Sequence, residues 1–388
     1  MAVTLIVNPG SSSKKYALVR DGRVMVSYNF ERVGSSFELT VTEANGRVAK
    51  SSLTALGYTN ALKQVLTEAV DAKRMTVNEV TRVGVRVVAP GTYFTEHRIV
   101  DGDYETRLQS VEAVAPLHIP HTIAELRSVQ SHLPGVTIIG VSDSAFHSTL
   151  APSARTFPIT HDDACAFDLF RFGYHGLSVA SVVSEVPKVL GALPERMVVC
   201  HIGSGMSMTA VRAGKSIDTT MGFAPGSGLF MGARTGDLEP AVVLELMRRK
   251  NLKIVDIQNY LQTKGGFMGQ VGESDFRHLL GRLDRGEEAV VAAFTQCVYQ
   301  FQKTLGAFYV ALGGLDAVVF TATAVERSPQ LRALFCVNLT MLGITLDDEL
   351  NESLIGRSGC ISGNASPVKV SVVRTNELLE MTRITNSF

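Results

Sequence analysis

The sequence has no tryptophan and few cysteines, and its positive and negative charges cancel. The absence of tryptophan excludes nothing about function. The five cysteines are odd in number and none of them forms a C-x-x-C pair; they are Cys165, Cys200, Cys297, Cys336 and Cys360. This spacing argues against a disulfide framework and against a cysteine zinc site, and it favours a reducing compartment. We therefore expect a cytoplasmic protein.

Nucleic acid and membranes are also not expected as partners. Lys and Arg number 37, and so do Asp and Glu, so no excess of positive charge indicates a polyanionic surface. The N-terminus, MAVTLIVNPG, lacks a basic region, and its apolar run is too short for a signal peptide. The longest apolar segment, near 289–312, is interrupted by glutamines and a lysine, so it predicts a buried helix rather than a membrane span.

The length of 388 residues predicts two domains, and a similar order of elements occurs in both halves. Each half begins with an apolar strand, a Gly/Ser loop and returning strands. In the first half the strand covers 3–8, and a hairpin around Asn45-Gly46, a helix over 54–73 and a strand at 82–88 follow. In the second half the strand covers 196–203, and the later elements are helices near 238–250, 253–263, 274–283 and 287–312, strands at 317–322 and 368–373, and a short final helix. The domain boundary is placed near Ala151.

A glycine-rich stretch, Ser216–Pro240, is the most distinctive segment. Its five glycines allow backbone N–H groups to approach an anion, and Arg234 adds a fork of donors suited to a carboxylate or phosphate. Asp237 is predicted to cap the helix that follows. The alternative is an ordinary long loop.

Two Gly/Ser loops are candidates for binding phosphate from two sides. One is Asn8–Lys15 and the other is His201–Gly205, and each follows an apolar strand. A plain Ser-rich hairpin is the alternative for the first loop, which lacks the features of a Walker A motif.

Several polar residues lie where apolar ones are expected. Arg86 lies inside an apolar strand, so it pairs with a core acid or serves a ligand. Asp143 follows the strand VTIIGV, at the strand end where α/β proteins bind ligands. His147 and His175, in the clusters DSAFH and RFGYHG, could be ligands, donors or buried core histidines, and for each alone the core interpretation is favoured.

Together these segments resemble the acetate kinase family, the short-chain carboxylate kinases of the actin-like and sugar-kinase superfamily. The matching segments follow in the same order over nearly the whole chain: NPGSSSKKY, RVV, PLH, DSAFH, FGYHG, HIGSG, DTTMGF…RTGD, SDFR, GGLD…VVFT and TNE. The resemblance implies an α/β fold with two ribonuclease-H-like domains and a cleft between them. The first would comprise 1–150 plus about 374–388, and the second 151–373.

The resemblance also implies an activity, which is reversible, in-line phosphoryl transfer from ATP to acetate by a Mg²⁺- or Mn²⁺-dependent homodimer. Arg86 and Arg234 would bind the carboxylate and the transferring phosphoryl group, and His175 would donate to that group. Asp143 would position the metal or an arginine rather than act as a base, because acetate is already ionised at pH 7. The metal would be held by Asn8 and Glu377.

Further positions carry binding roles in the family. The methyl group of acetate would lie against Val88, Leu117 and Pro225, which favours acetate over longer acids. Phosphates would contact residues of the two Gly/Ser loops, namely Gly10, Ser11, Ser13, Lys15, His201, Gly203, Ser204 and Gly205. The nucleotide would contact Asp275, Phe276, Arg277, Thr323, Ala324 and Arg327.

The chain departs from the family pattern in three places. Ala89-Pro90-Gly91 replaces His-Gly-Gly, and Ser204 replaces Asn. The adenosine loop Gly-Ile-Gly-Glu-Asn is here Thr323–Arg327, and a β-branched Val325 is expected to crowd a base or ribose. ATP is the leading donor, with pyrophosphate or another nucleotide as the alternative. A catalytically silent relative and a chaperone-like or filament-forming relative are alternatives of other classes.

Overall fold

The computed structural model describes residues 2–10, 13–116 and 118–388, and it divides into two compact units. Unit 1 contains the residues up to Ala145 together with Asn376–Phe388, and unit 2 is Phe146–Thr375. The chain thus leaves unit 1 after Ala145 and returns to it at Asn376, where the sequence analysis expects crossings near Ala151 and near residue 374.

Unit 1 is built on one mixed sheet. The strands described are β1 (Val3–Pro9), β2 (Ser13–Arg20), β3 (Arg23–Val33), β4 (Ser36–Glu43), β5 (Val48–Leu53), β6 (Val80–Val87), β7 (Arg98–Ile99) and β8 (Thr137–Ser142). Their order in the sheet is β5-β4-β3-β2-β1-β6-β8-β7. The pairs β1–β6 and β6–β8 are parallel. The carboxyl ends of these three central strands therefore lie at one edge of the sheet.

The burial of each strand follows its place in the sheet. Every residue of β1 is buried, because this strand lies between β2 and β6 and is covered on both faces. The edge strand β5 is exposed along almost its whole length. The helices of unit 1 are α1 (Ala55–Thr59), α2 (Ala61–Asp71), α3 (Gly102–Ser110), α4 (Ile119–His132) and α16 (Glu377–Asn386).

The predicted helix over 54–73 is interrupted. Thr54 caps α1 through the N–H of Gly57, and Asn60 ends it with a non-helical backbone (φ −94°, ψ 33°) before α2 begins. Side-chain spacing alone continues across this break, so the sequence pattern does not reveal it.

The last helix, α16, packs closely on β6. A Cβ on Gly84 would lie 2.1 Å from Thr385 Oγ1, so glycine is required for this approach. The C-terminal return of the chain is therefore part of the packing of unit 1.

Unit 2 repeats the arrangement of the central strands. The strands described are β9 (Arg196–Ile202), β10 (Met206–Arg212), β11 (Lys215–Thr219), β12 (Ala317–Thr321), β13 (Gly359–Cys360) and β14 (Lys369–Val372), in the order β11-β10-β9-β12-β14-β13. Three consecutive antiparallel strands are followed by two parallel ones, as in β3-β2-β1-β6-β8 of unit 1. The predicted α/β fold with two ribonuclease-H-like sheets is confirmed, while the predicted cleft stays a prediction.

The helices of unit 2 surround this sheet. They are α5 (Pro152–Arg155), α6 (His161–Ala166), α7 (Gly176–Leu190), α8 (Pro240–Lys250), α9 (Ile254–Thr263), α10 (Gly266–Val271), α11 (Phe276–Asp284), α12 (Glu288–Leu312), α13 (Thr323–Arg327), α14 (Pro329–Cys336) and α15 (Asp348–Ser353). The long apolar helix α12 buries a stripe from Val290 to Leu312 at helical spacing, as expected for a core helix. Within the described ranges, none of the helices is both long and apolar enough to span a bilayer.

Candidate active site

Four polar residues of unit 1 meet at the carboxyl edge of its central strands. Asn8 lies near the end of β1, Arg86 near the end of β6, Asp143 directly after β8, and Glu377 at the start of α16. They converge because β1, β6 and β8 run parallel, so that their ends coincide. Asp143 lies at the carboxyl end of a strand, as predicted from the apolar run that precedes it.

The centre of this cluster is an ion pair. Arg86 Nη2 lies 2.9 Å from Asp143 Oδ1, and Arg86 Nε donates to the same oxygen at 3.1 Å. The side chain of Asp143 is 1% exposed and that of Arg86 is 17% exposed, so water screens the pair little. Burial lowers the pKa of Arg86, but the carboxylates of Asp143 and Glu377 outweigh burial and raise it above its ordinary value. Arg86 therefore stays charged, and Asp143 fixes its orientation.

The other two residues of the cluster, Asn8 and Glu377, contact Nη1 of Arg86. Arg86 Nη1 donates to Asn8 Oδ1 at 3.3 Å and lies 3.5 Å from Glu377 Oε2. Asn8 Nδ2 donates to Glu377 Oε2 at 3.4 Å. One amide oxygen and one carboxylate thus lie together, which is a donor set suited to a hard cation such as Mg²⁺.

Two histidines of unit 2 form a stacked pair. The rings of His175 and His201 lie 4.0 Å apart at an interplanar angle of 23°. His175 Nδ1 is 2.9 Å from Ser207 Oγ, and His201 Nδ1 is 2.8 Å from Ser178 Oγ. Each buried serine therefore fixes one ring through its Nδ1 edge. Neither serine is among the predicted site residues. The one available signal was the spacing of Ser178, which lies three residues after His175 on α7 and therefore on the same side of the helix.

Arg234 lies beside the same pair. A Cβ built on Gly205 would lie 3.1 Å from Arg234 Nη1 and 3.3 Å from His175 Nε2, so both groups border the backbone of the second Gly/Ser loop. Arg234 Nη1 also donates to the carbonyl oxygen of Pro225 at 3.1 Å. The structure thus brings together Arg234, His175 and the second Gly/Ser loop, which were predicted from separate segments of unit 2.

Asp237 does not cap the helix after the glycine-rich stretch, so that prediction is wrong. The cap position of α8 is Glu239, and Pro240 occupies the first turn, where its fixed φ suits a helix start. Asp237 instead accepts a hydrogen bond from the N–H of Gly228 at 2.7 Å and closes the loop on itself.

The first Gly/Ser loop is described only in part. Ser11 and Leu117 lie outside the described residues, and Val88 is buried. The backbone N–H of Gly10 donates to the carbonyl of Ser13 at 2.8 Å. The side chain of Lys15 is exposed.

The segment Asp275–Arg277 forms the start of α11. Asp275 caps the helix through the N–H of Arg277 at 2.9 Å and also pairs with the Arg277 guanidinium. Hydrogen bonding from Arg277 lowers the pKa of Asp275 to about 2. Phe276 is 7% exposed and packs against Phe267, so its side chain belongs to the core.

The altered adenosine loop forms the short helix α13. Val325 is fully buried, and its carbonyl accepts from Arg332 Nη1 at 2.6 Å, so the expected crowding of a ligand by Val325 is wrong. Thr323 and Arg327 are exposed, and Ala324 is half-buried. Ala322, just before the helix, has φ +76° and ψ 159°, a conformation that side chains disfavour.

Comparisons with known proteins identify the family of this chain. The model of the Acetokinase family matches residues 3–383. Acetate kinase of Thermoanaerobacterium thermosaccharolyticum is 35% identical over 382 residues, covering 96% of this chain and 95% of the relative.

Two crystal structures are similar over the whole chain. The match to acetate kinase of Porphyromonas gingivalis has a TM-score of 0.87 at 30% identity, and it covers 100% of this chain and 99% of that one. A propionate kinase of Francisella tularensis has a TM-score of 0.91 at 26% identity and covers 100% of both chains. The chain belongs to the acetokinase family.

Proposed function

We propose that this chain catalyses phosphoryl transfer from ATP to acetate, giving acetyl phosphate and ADP. An oxygen of acetate attacks the γ-phosphorus, the bond from that phosphorus to the β–γ bridging oxygen breaks, and ADP leaves with the electron pair. The family assignment carries the choice of reaction. The convergence of Arg234, His175 and Gly205 supports it, because this is the set of donors that an anionic phosphoryl group requires.

The main obstacle to this reaction is the repulsion between two anions. Acetate has an ordinary pKa of about 4–5 and needs no base at pH 7. We assign Arg86 and Arg234 to neutralising and aligning the reactants, and His175 to donating to the transferring group. The bonds from Arg86 to Asp143 favour Asp143 as the residue that orients this arginine rather than as a general base.

We propose that a divalent cation, Mg²⁺ with Mn²⁺ as a substitute, binds beside Asn8 and Glu377. When bound, it would supply charge neutralisation on the phosphates. Among the described residues no group of three or more His, Cys, Asp or Glu could hold a metal. One carboxylate and one amide suit Mg²⁺, which usually keeps waters and binds substrate phosphates as well.

ATP is proposed as the donor because it is the co-substrate of the family. Thr323, Ala324 and Arg327 are our candidates for its adenosine side, together with Asp275 and Arg277, and the phosphates are assigned to Ser13, Lys15, His201, Gly203 and Ser204. Burial of Val325 removes the main argument for a change of donor. Acetate is proposed over propionate on the predicted apolar pocket of Val88, Leu117 and Pro225.

One assay tests this function and its donor. Purified protein is incubated with acetate, Mg²⁺ and hydroxylamine and with either ATP or pyrophosphate, and the hydroxamate of the acyl phosphate is measured. We expect product with ATP only, and Arg234→Lys should lower kcat/KM by about 10²-fold because the planar fork of donors is lost. The control is Arg212→Lys, which should leave kcat/KM unchanged. Arg212 donates to the carbonyls of Ala311 and Leu312 at the end of α12 and has no assigned role in the reaction. Product with pyrophosphate alone would overturn the donor, and no product with either would overturn the function.

We propose a cytoplasmic homodimer. All five cysteines are free thiols, as expected in a reducing compartment. Helix α8 buries none of its residues, and Leu244, Ile254 and Val255 on α8 and α9 are 66%, 69% and 73% exposed. Light scattering should give twice the chain mass of 41.8 kDa, and Val255→Glu should shift it toward the monomer. A monomeric wild-type protein would contradict this.

A further inference from the structure

His147 makes two hydrogen bonds that fix its tautomer. The residue is 2% exposed, with Nε2 3.0 Å from the carbonyl oxygen of Tyr174 and Nδ1 2.9 Å from Ser216 Oγ. A carbonyl oxygen can only accept, so Nε2 carries the hydrogen. In the neutral ring Nδ1 then accepts from the hydroxyl of Ser216. The expectation of a buried core histidine is confirmed for His147, but its bond to Tyr174 raises a further question.

The backbone that His147 contacts has an unusual conformation. Gly173 and His175, on either side of Tyr174, have φ of +74° and +58°. The left-handed region costs free energy for a residue with a side chain, so the surroundings must hold His175 there. The ring of His147 packs directly on this turn, because a Cβ on Gly173 would lie 2.5 Å from His147 Cδ2.

The result of this turn is the placement of the His175 ring. The ring stacks on His201 and reaches Ser207, with Nε2 beside Gly205. A rotation of the φ angle of His175 out of the left-handed region would turn the peptide that carries the Tyr174 carbonyl relative to the His175 ring. The bond from His147 to that carbonyl therefore opposes such a rotation.

We propose that His147 is a positioning residue for His175, acting through the Tyr174 carbonyl, with Ser216 fixing the tautomer that donates. This inference rests on the proposed function, since it assigns His147 to the group that donates to the transferring phosphoryl. His147 itself is assigned no contact with acetate or ATP.

The first test is a set of single substitutions assayed with saturating acetate, ATP and Mg²⁺. His147→Phe keeps a planar ring and removes the donor, and it should lower kcat by on the order of 10²-fold with both KM values within threefold. His147→Gln places an amide N–H near the position of Nε2 and should restore most of the rate. The matched control is Thr295→Val on α12, which removes a 2.8 Å bond from a threonine hydroxyl to the carbonyl of Val291. It should leave kcat unchanged.

The second test is a double-mutant cycle. If His147 acts only through His175, then adding His147→Phe to His175→Ala should lower kcat less than threefold further. Losses that multiply in the double mutant would overturn the proposal, as would a folded His147→Phe protein with kcat within twofold of the wild type. If His147→Phe fails to fold, Ser216→Ala takes its place, and an unchanged kcat in that variant has the same meaning.

A structural measurement separates this proposal from the proposed function. If the wild type makes no acyl phosphate with either donor, the function fails and kinetics no longer test the positioning. A crystal structure of His147→Phe or Ser216→Ala then decides it. Movement of His175 out of the left-handed region would support the proposal, and an unmoved His175 would overturn it.

Discussion

Replacing Gly205 with alanine tests the arrangement of Arg234 and His175 most directly. The added Cβ would lie 3.1 Å from Arg234 Nη1 and 3.3 Å from His175 Nε2, whereas ordinary van der Waals contact is 3.4–4 Å. The methyl group should therefore displace one or both of these groups by a few tenths of an ångström.

The size of this displacement sets the expected loss of activity. A misplacement of about 1 Å in an active site costs on the order of 10²-fold in rate. A shift of a few tenths of an ångström at two groups should therefore lower kcat about tenfold, or ~1.4 kcal/mol in the barrier. Protein stability should change little, because the clash is with the ends of two side chains rather than with backbone.

The assay is steady-state hydroxamate formation with ATP, with kcat and the KM for acetate measured separately. The control is Gly306→Ala in α12, where, apart from its chain neighbours and the nearby backbone of α12 itself, no described heavy atom lies within 4 Å of the added Cβ. Alanine favours a helix by up to about 1 kcal/mol, so this variant should be more stable and equally active. A Gly205→Ala enzyme with kcat within twofold of the wild type would refute the assignment of Arg234 and His175 to one reacting group.

Three other substitutions test separate parts of the structure. Asp143→Asn removes one partner of a nearly buried ion pair and should lower the free energy of unfolding by about 3 kcal/mol in urea, whereas Asp103→Asn, in the exposed pair with Arg107, should have little effect; equal losses would contradict this. Burial lowers the pKa of His97 from 6.5 to about 4, so between these pH values the unfolded chain binds a proton that the folded chain does not. The contribution of His97 to the free energy of unfolding is therefore fully present above pH 6.5 and is lost as the pH falls toward 4. His97→Asn keeps an acceptor for the Ser142 N–H and should remove up to about 3 kcal/mol of this loss, and an unchanged pH dependence of urea unfolding would count against it. Ala322→Gly relieves the backbone at φ +76° and should raise the free energy of unfolding by about 1 kcal/mol in thermal denaturation, and a less stable variant would show that the strain is absent.

Local patterns in the sequence were enough to predict much of the fold. Apolar strands followed by Gly/Ser loops predicted both sets of three antiparallel strands, and their repetition predicted two similar sheets. The position of Asp143 at a strand end followed from the apolar run before it. These features depend on neighbours in the chain, so one sequence is sufficient to find them.

Other features depend on contacts between distant segments and could not be predicted. The sequence allows a core acid as the partner of Arg86, but only the adjacency of the parallel strands β6 and β8 identifies that acid as Asp143. The inward direction of Val325 depends on the formation of α13 and on its place against Arg332. Substitution patterns alone suggested a blocked ligand there, because they give no information about which side of a short helix faces the core.

The return of the chain to unit 1 has a consequence for biosynthesis. Glu377 and the packing of α16 on β6 are supplied by a segment that is translated after the whole of Phe146–Thr375. At about 5–20 residues per second, the ribosome takes roughly 10–45 s to make the intervening part. During that interval Arg86 lacks one of its two carboxylates and β6 lacks the cover that α16 provides, so the nascent first unit exposes apolar surface on that side. Chaperone demand should therefore be greatest for this unit, although it is the first to leave the ribosome.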